Sequence, residues 1–471
     1  MCIRDRACYD KAIALNPDCD YLFGMRQNAK MILCDWQDFQ NNLSELSRKI
    51  KSNVKASSGF AALALPISAH EQLQVSKTWS TNHYPYNSSL GPIEKLERRA
   101  KIRIGYYSAD FHNHATAYLM AELFERHDKS KFELTAFSYG PDKNDGMRNR
   151  ISKAFGRFID VTTISDKGVA QMSRELGIDI AIDLKGLTQN ARLGIFSYKA
   201  APIQVSYLGY PGTLGAQYID YLIADKTLIP NESQIHYSEK IVYLPNSYQV
   251  NDSQKVISKK VFSKQEMGLP QEGFVFCCFN NSYKITPPVF DSWVRILKSV
   301  ESSVLWLLEN SPTATSNLRK EAQSRGLDPN RLVFAKPMDL PDHLARHCLA
   351  NLFLDTMPYN AHTTASDALW AGLPVLTCMG ESFASRVAGS LLNAIGLPEL
   401  VTTTQKEYEN LAIELATNPD SLTAMKDKLA SNRLSSPLFD TPLFTQHIEA
   451  AFTKVYERYQ ADLRPDHIFI P

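Results

Sequence analysis

Hydrophobic positions along the chain change their spacing near residue 100. Between residues 21 and 80, apolar side chains such as Met31 and Trp36 recur at helical intervals. From Lys101 onward, short apolar runs alternate with helical patterns, which is typical of a parallel sheet covered by helices. The pattern therefore predicts a helical segment and then an α/β region, with a boundary in the Asn-, Ser-, Pro- and Gly-rich stretch at 82–92.

The strand-like runs fall into two sets. The first set is IRIGYYS, FELTAFSYG, IDIAIDL and YIDYLIAD, and the second is FVFCCFN, SVLWLLE, RLVFAKP, LFLDT and PVLTCM. A polar, Lys-rich stretch at 245–270 without a strong pattern separates them. We therefore predict two α/β domains, at 100–245 and 270–440, whose strand carboxyl ends face a cleft where ligands bind.

Both ends of the chain carry helical patterns of their own. Residues 7–17 show one apolar helical face and stop at Pro17, like the second helix of a tetratricopeptide repeat. Because such arrays need several copies, we interpret 1–80 as a repeat remnant with connecting helices, of which Met1 to Arg6 fits no repeat position. The tail at 441–471 is predicted to form a helix that packs back across the domains.

Composition and charge narrow the class of protein. At 471 residues and 44% hydrophobic content, the chain can fill two or three domain cores. Its 51 basic and 50 acidic residues are balanced, so nothing in the charge calls for nucleic acid or an anionic membrane as partner. No apolar run approaches the about 18 residues of a membrane span, and no signal-peptide pattern opens the chain, which predicts neither anchoring nor export.

The cysteines indicate a reducing compartment. All eight lack a C-x-x-C spacing, and Cys277 and Cys278 are adjacent inside an apolar run. We therefore predict reduced, buried thiols and a cytoplasmic location.

One strand, loop and helix run, 352–377, concentrates polar residues where the strand meets the helix. His362, Thr363 and Thr364 stand at the predicted helix start, where unpaired N–H groups and the positive dipole end favour a phosphate. Asp367 lies one turn further on, where a carboxylate can take a ribose hydroxyl. The alternative is a capping box of Thr364 and Asp367, which needs no ligand.

Polar residues also follow two other predicted strands. Asp110, His112 and His114 follow IRIGYYS, and an imidazole there can act as a general base, orient a hydroxyl or simply cap the next helix. A metal site is disfavoured, because no helical H-x-x-x-H or distant ligand set accompanies them. Lys284 follows FVFCC, where its ammonium either neutralises a departing diphosphate or is an ordinary solvated group.

Together these motifs resemble the catalytic region of the O-linked N-acetylglucosamine transferase and SPINDLY family. They are SADFHNHATAYLM, DLKGLTQNAR, APIQVSYLGYPGT, FCCFNNSYKI, SVLWLL and LDTMPYNAHTTASDALWAGLPVLT, in this order over about residues 100–400. The resemblance implies a GT-B fold of two Rossmann-like domains after a tetratricopeptide-like segment. It also implies an inverting, metal-independent enzyme without cofactors, whose partners are a nucleotide sugar and the Ser or Thr residues of proteins.

The resemblance assigns roles around the predicted helix start. Lys284 would stabilise the leaving diphosphate, and Thr363 and Thr364 would bind it through the helix N–H groups. Asp367 would hold the ribose, and His362 would stack or bond near the nucleotide.

Further residues are assigned by the resemblance alone. His343 and Arg346 match the family's pair next to the base, and their spacing to His362 equals the family's. Asn281 and Tyr283 complete the predicted nucleotide-sugar site. The animal glucosamine transferase has Gln at the position of Asn281. The Asn found here is the SPINDLY-like form.

Catalysis and donor identity are left with alternatives. His114 matches the histidine proposed near the acceptor hydroxyl, and the acceptor's proton goes to His114, to Asp179 or to a phosphate oxygen. UDP-N-acetylglucosamine is the expected donor, while GDP-fucose is the SPINDLY-like alternative. An inactive protein-binding module and a sugar-nucleotide epimerase are the competing classes. The D-x-D of Asp18 and Asp20 is predicted to lie inside the repeat helix.

Overall fold

The computed structural model describes residues 2–95 and 97–471. Met1, which the sequence placed outside any repeat, and Leu96 lie outside the described residues. The chain divides into two compact units. Unit 1 contains the chain up to Ser57, Ala61–Ser68 and Lys255–Ser436, and unit 2 contains Ser58–Phe60, Ala69–Gln254 and Pro437–Pro471.

α-Helices cover about two fifths of the described chain. In chain order they are α1 (Cys2–Leu15), α2 (Leu22–Ile32), α3 (Phe39–Lys51), α4 (Gly59–Leu63), α5 (Ala69–His83), α6 (Ala115–Arg126), α7 (Gly146–Ala154), α8 (Asp166–Glu175), α9 (Gly194–Ser197), α10 (Pro287–Ser299), α11 (Pro312–Ser324), α12 (Leu340–Arg346), α13 (Thr363–Trp370), α14 (Val387–Ala394), α15 (Gln405–Thr417), α16 (Pro419–Asn432) and α17 (Thr441–Gln460).

The strands are short and all pair in parallel. They are β1 (Ile102–Ser108), β2 (Phe132–Ser138), β3 (Arg157–Asp160), β4 (Ile180–Asp183), β5 (Ile203–Ser206), β6 (Tyr221–Asp225), β7 (Lys240–Leu244), β8 (Val275–Cys278), β9 (Val304–Leu308), β10 (Leu332–Ala335), β11 (Leu352–Leu354), β12 (Val375–Cys378), β13 (Val401–Thr402) and β14 (Ile468–Phe469).

Unit 2 is built on an eight-stranded sheet in the order β14-β7-β6-β5-β4-β1-β2-β3. Every residue of β4, β5 and β6 is buried, since helices cover both faces of a parallel sheet and such strands are mostly apolar. Each of the three ends in a polar residue, respectively Asp183, Ser206 and Asp225. The carboxyl edge of this sheet is therefore where unit 2 gathers its chemistry.

The chain's last helix belongs to unit 2. On α17, Glu449 accepts a hydrogen bond from His127 Nδ1 at 3.0 Å, and His127 Nε2 lies 2.9 Å from the Tyr106 hydroxyl of β1. After α17, β14 adds a final parallel strand beside β7. The C-terminal segment thus completes the sheet that the region after residue 100 begins.

Unit 1 is built on a six-stranded sheet in the order β10-β9-β8-β11-β12-β13. The N-terminal helices pack against it. Trp36 lies 5.3 Å from Phe290 of α10, ring centre to ring centre, and the Ser282 hydroxyl donates to the carbonyl of Ile32, the last residue of α2, at 2.7 Å. The helices up to Ser57 are therefore part of the same compact unit as the second sheet, whereas α5 belongs to unit 2.

The structure confirms the helical pattern of 21–80 and the predicted strands of both sets. The described residues of 245–270 contain neither helix nor strand, as the patternless composition indicated. The predicted domain boundaries stay a prediction. Among the described residues, no helix has both the length and the apolar character needed to cross a bilayer.

Two further expectations from the sequence are wrong. Cys8, Cys19 and Cys348 are exposed rather than buried, although every described cysteine is a free thiol. Asp18 and Asp20 lie in the turn between α1 and α2 rather than inside a helix, because Pro17 ends the helical pattern before them.

Candidate functional site

The junction between β11 and α13 forms the first part of the site, within unit 1. α13 begins at Thr363, and His362 in the N-cap position makes no side-chain cap. The first N–H groups of the helix therefore have no capping side chain, and the positive end of the helix dipole favours an anion beside them. This arrangement suits a phosphate group.

The capping-box alternative for Thr364 and Asp367 is wrong. Because α13 starts at Thr363, Asp367 is too far along the helix to cap its first turn. The Thr364 hydroxyl instead donates to Asn280 Oδ1, and Asp367 Oδ1 accepts from Lys255 Nζ at 2.9 Å. Both side chains thus make contacts outside their own helix.

Lys284 ends a short 3-10 turn, Ser282–Lys284, that follows β8. Its Nζ donates to the Asn360 carbonyl at 2.8 Å and lies 3.9 Å from the centre of the Tyr359 ring. The residue is 7% exposed, and burial lowers its pKa to about 8. No ion pair of the described residues includes Lys284, so its charge can act on a bound anion.

Asp355 fixes the loop that holds Lys284. Its Oδ1 accepts from the Ala361 N–H at 2.6 Å and its Oδ2 accepts from the Thr377 hydroxyl at 2.6 Å. Burial raises the pKa of this carboxyl to about 7. Because both oxygens are bound, Asp355 sets the position from which the Asn360 carbonyl meets Lys284.

His343 and Arg346 meet on α12. Arg346 Nη2 donates to His343 Nδ1 at 2.6 Å, and Arg346 Nη1 donates to the Lys336 carbonyl at 2.7 Å. Burial lowers the pKa of His343 to about 2. His343 is therefore neutral, with its proton on Nε2, and presents a hydrogen-bond donor suited to a nucleobase carbonyl.

The remaining predicted donor-site residues flank the 3-10 turn or the helix start. Asn281 is exposed directly before the turn, and the Tyr283 ring centre lies 6.0 Å from that of Tyr359. His362 Nε2 donates to the Ala384 carbonyl at 3.1 Å, and burial lowers the pKa of His362 well below its usual value. A neutral His362 therefore presents Nδ1 as an acceptor.

In unit 2, His114 caps α6. Its Nδ1 accepts from the Thr116 N–H at 3.2 Å and lies 3.4 Å from Asp110 Oδ2. Asp110 Oδ2 also accepts from Lys185 Nζ at 2.6 Å. Burial lowers the pKa of His114, against the opposing effect of Asp110, so the imidazole is neutral at pH 7. Capping is observed, and the general-base role stays a prediction.

Asp183 shapes the loop that follows β4 and contains Lys185 and Gly186. Its carboxylate accepts from the N–H groups of Lys185 at 2.9 Å and Gly186 at 3.0 Å, and burial raises its pKa to about 6. In the loop after β5, a β carbon on Gly209 would lie 1.9 Å from the Leu184 carbonyl oxygen. Gly209 therefore allows the two loops to pack closely at the end of β4.

Asp179 lies apart from His114, the other side chain predicted to accept the proton. It precedes β4, and its Oδ2 accepts from the N–H of Arg103 near the start of β1 at 2.8 Å. His114 follows the carboxyl end of β1, so most of the length of β1, roughly 17 Å from Arg103 to Ser108, separates the two. The suggestion that Asp179 takes the acceptor's proton has no geometric support.

Metal-binding geometry is absent from the part of the chain that the structure describes. In it, no group of three or more His, Cys, Asp or Glu side chains is placed to hold a metal ion, and this includes the neighbourhood of His112 and His114.

Comparison with known proteins places the chain in a family. The model of glycosyl transferase family 41 matches residues 62–261 and 257–448. The chain belongs to glycosyl transferase family 41. The resemblance seen in its motifs is thereby confirmed.

Curated relatives are about a third identical to this chain over the residues that align. The probable UDP-N-acetylglucosamine--peptide N-acetylglucosaminyltransferase SEC of Arabidopsis thaliana is 35% identical over 92% of this chain and 47% of its own length. The probable SPINDLY enzyme of Petunia hybrida is 33% identical over 76% of this chain and 39% of its own length. The chain spans about half the length of the curated relatives it matches.

A solved structure supports the fold. A mutant of the Thermobaculum terrenum O-GlcNAc transferase superposes with a TM-score of 0.82 at 26% identity, covering 96% of this chain and 86% of that chain. The predicted GT-B fold, with two Rossmann-like α/β units and an N-terminal helical segment, is confirmed.

Three residues at the site of this family 41 chain were not predicted. Lys255 comes from a patternless stretch, and Lys185 belongs to the motif DLKGLTQNAR without any role of its own. Asp355 had one signal, which is its place directly after a buried strand. All three act on other side chains or on the backbone, and such contacts have no sequence spacing to reveal them.

Proposed function

We propose that this chain carries the catalytic part of a protein O-glycosyltransferase. It moves N-acetylglucosamine from UDP-N-acetylglucosamine to Ser and Thr hydroxyl groups of proteins, with inversion and without a metal ion. The observation that carries the proposal is the buried ammonium of Lys284, bound to the Asn360 carbonyl shortly before the uncapped start of α13. The names of the SEC and SPINDLY relatives agree with this donor and a peptide acceptor.

The donor's parts are assigned to separate groups of unit 1. The diphosphate lies against Lys284 and the N–H groups of Thr363 and Thr364, where a cation and a helix dipole act together. The ribose is held by Asp367. The base lies beside His343 and Arg346, with Asn281, Tyr283 and His362 completing the site.

The reaction is a one-step displacement. The acceptor's hydroxyl oxygen bonds to the anomeric carbon from the face opposite the diphosphate, while the bond from that carbon to the diphosphate oxygen breaks. Negative charge grows on the departing UDP, and Lys284 with the helix N–H groups stabilises it. These groups supply the positive charge that a metal ion supplies elsewhere.

The acceptor's proton goes to His114 or to a phosphate oxygen. Because His114 Nδ1 accepts from the Thr116 N–H, the neutral ring carries its proton on Nε2. In this tautomer Nε2 donates, and it can accept a proton only after the ring proton moves from Nε2 to Nδ1, the nitrogen that lies beside Asp110. The observed hydrogen bond therefore favours the phosphate oxygen. The partners are protein acceptors, and the location is cytoplasmic.

The test is calorimetric titration with UDP, GDP, UDP-N-acetylglucosamine and GDP-fucose. We expect the two uridine ligands to bind and Asp367→Ala to weaken both. Asp342→Ala, at an exposed α12 residue, is the matched control and leaves binding unchanged. No binding of any nucleotide by the folded chain overturns the proposal in favour of a non-catalytic protein-binding role.

A second candidate donor is GDP-fucose. It is favoured by Asn281, which is exposed directly before the turn that carries Lys284. Preference for GDP and GDP-fucose in the same titration would assign the chain to the SPINDLY-like reaction.

A further inference from the structure

Residues 255–260, which we name the strap, lie against the predicted donor site of unit 1. Lys255 is attached to α13 at two points. Its carbonyl accepts from Trp370 Nε1 at 3.2 Å, and its Nζ lies 2.9 Å from Asp367 Oδ1. Asp367 and Trp370 are neighbours on one face of the helix, three residues apart. Both the main chain and the side chain of Lys255 are thus fixed on that face.

The strap continues to the second helix of the donor site. The Ser258 N–H donates to the Pro341 carbonyl in the first turn of α12 at 3.0 Å. α12 carries His343 and Arg346, which the proposed function places beside the base. The strap therefore bridges the two helices assigned to the nucleoside.

The two lysines of the strap that form ion pairs differ in their surroundings. The Lys255 and Asp367 side chains are 3% and 8% exposed, whereas Lys260 and Asp342 lie 3.7 Å apart and are 59% and 37% exposed. A buried ion pair is costly to desolvate and seldom stabilises a fold more than apolar side chains of similar size. Because the Asp367 carboxylate is the group assigned to the ribose, the buried Lys255 ammonium is placed to orient it.

We propose that Lys255 is a positioning residue of the donor site, which holds the Asp367 carboxylate in the orientation that accepts a ribose hydroxyl. One carboxylate oxygen binds the ammonium, and the other meets the sugar. This inference rests on the proposed function and adds to it a residue for which neither the motifs nor the family resemblance gave a role. Without the ammonium, the carboxylate keeps its place in the chain but loses the contact that orients it.

The test measures how much the ribose hydroxyls contribute to binding. UDP and 2′,3′-dideoxy-UDP are titrated calorimetrically into the wild-type chain and into Lys255→Met, Lys255→Arg and Lys260→Met. A hydrogen bond to a charged group is worth at least about tenfold in Kd, so the wild type should prefer UDP by about that factor. Lys255→Met should reduce the preference to within about twofold. Lys255→Arg should restore most of it, and Lys260→Met should match the wild type.

Each other result has one meaning. If Lys255→Met weakens both ligands equally and keeps the ratio, Lys255 acts on the phosphates or only on the fold, and the inference is overturned. If the Met variant does not fold, Lys255→Arg decides, and a folded Arg variant without the UDP preference overturns the inference. Failure of the wild type to bind UDP overturns the proposed donor itself, and the wild-type titration reports that result separately.

Discussion

Two buried lysines, Lys284 in unit 1 and Lys185 in unit 2, differ in what holds them. Lys185 Nζ donates to Asp110 Oδ2 at 2.6 Å, so its charge is neutralised within the fold. Lys284 donates to the Asn360 carbonyl and faces the Tyr359 ring, which are dipolar partners without net charge. Unit 1 therefore keeps a positive charge for a ligand, while unit 2 uses its positive charge to hold a carboxylate.

The difference separates two kinds of site. A charge without a directly bound counter-ion acts strongly on an anion because the surrounding dielectric is low. Burial lowers the pKa of Lys284, against the opposing effect of the nearby Asp355 carboxyl. A paired charge contributes orientation, here of Asp110 towards His114. Activity should thus depend most on Lys284, and stability should depend most on Lys185.

The largest expected effect comes from Lys284→Met. We expect kcat to fall about a thousandfold, because the ammonium stabilises charge that develops in the transition state. Single-turnover transfer to a peptide acceptor measures it, with Lys428→Met, at an exposed ion pair with Glu399, as control. Turnover near that of the wild type in a folded variant would remove the main support of the mechanism.

Lys185→Met tests the role of the paired lysine in unit 2. It leaves the buried Asp110 carboxylate without its partner and should lower the free energy of unfolding by about 3 kcal/mol. Urea denaturation measures this, and Lys284→Met should show no comparable loss, because no buried carboxylate loses an ion pair. Adding Asp110→Asn to Lys185→Met should recover part of the stability. A Lys185→Met variant as stable as the wild type would contradict the pairing.

His114→Asn separates capping from chemistry. Asn caps helices well, so stability should stay unchanged, whereas His114→Ala should lose about 1 kcal/mol. We expect the turnover of His114→Asn to fall about tenfold. The substitution removes a hydrogen bond from Nε2–H, but it does not remove a general base. A fall of more than about a hundredfold would show that His114 accepts the proton of the acceptor hydroxyl as a general base.

The smallest effect is the pH dependence of UDP binding. Lys284 is charged below its pKa of about 8 and neutral above it. Raising the pH from 7 to 9 should therefore weaken UDP binding about tenfold in calorimetric titrations. Lys284→Met should bind weakly at both pH values without this change. A wild-type affinity that is constant over this range would contradict a titrating Lys284 at the diphosphate.

Much of the fold was predictable because most of its strands and helices have a hydrophobic pattern within their own short segment of sequence. Buried parallel strands such as β1, β8 and β11 read as continuous apolar runs. Five of the described strands were missed. The edge strands β3, β13 and β14 are short and partly exposed and lack that pattern, whereas β5 and β7 are largely buried but were not recognised as strands.

The candidate site was predictable only where it depends on strand ends and helix starts. His114 and Thr363 follow from those rules, and a misplaced helix start produced the wrong capping box. The contact between Lys255 and Asp367 joins residues 112 positions apart, and no periodicity encodes such a pair. Asp179 entered through resemblance, and the direction of β4 places it at the other end of the sheet.

The hydrogen bond from Ser282 to α2 makes the N-terminal helices more than a detachable adaptor. Ser282 opens the 3-10 turn that Lys284 closes, so α2 supports the donor site's ammonium from behind. A shortened chain beginning near residue 100 would lose that support along with the helices. Exchange of the helical segment between relatives would disturb the chemistry of the second sheet, so the two are expected to be inherited as one piece.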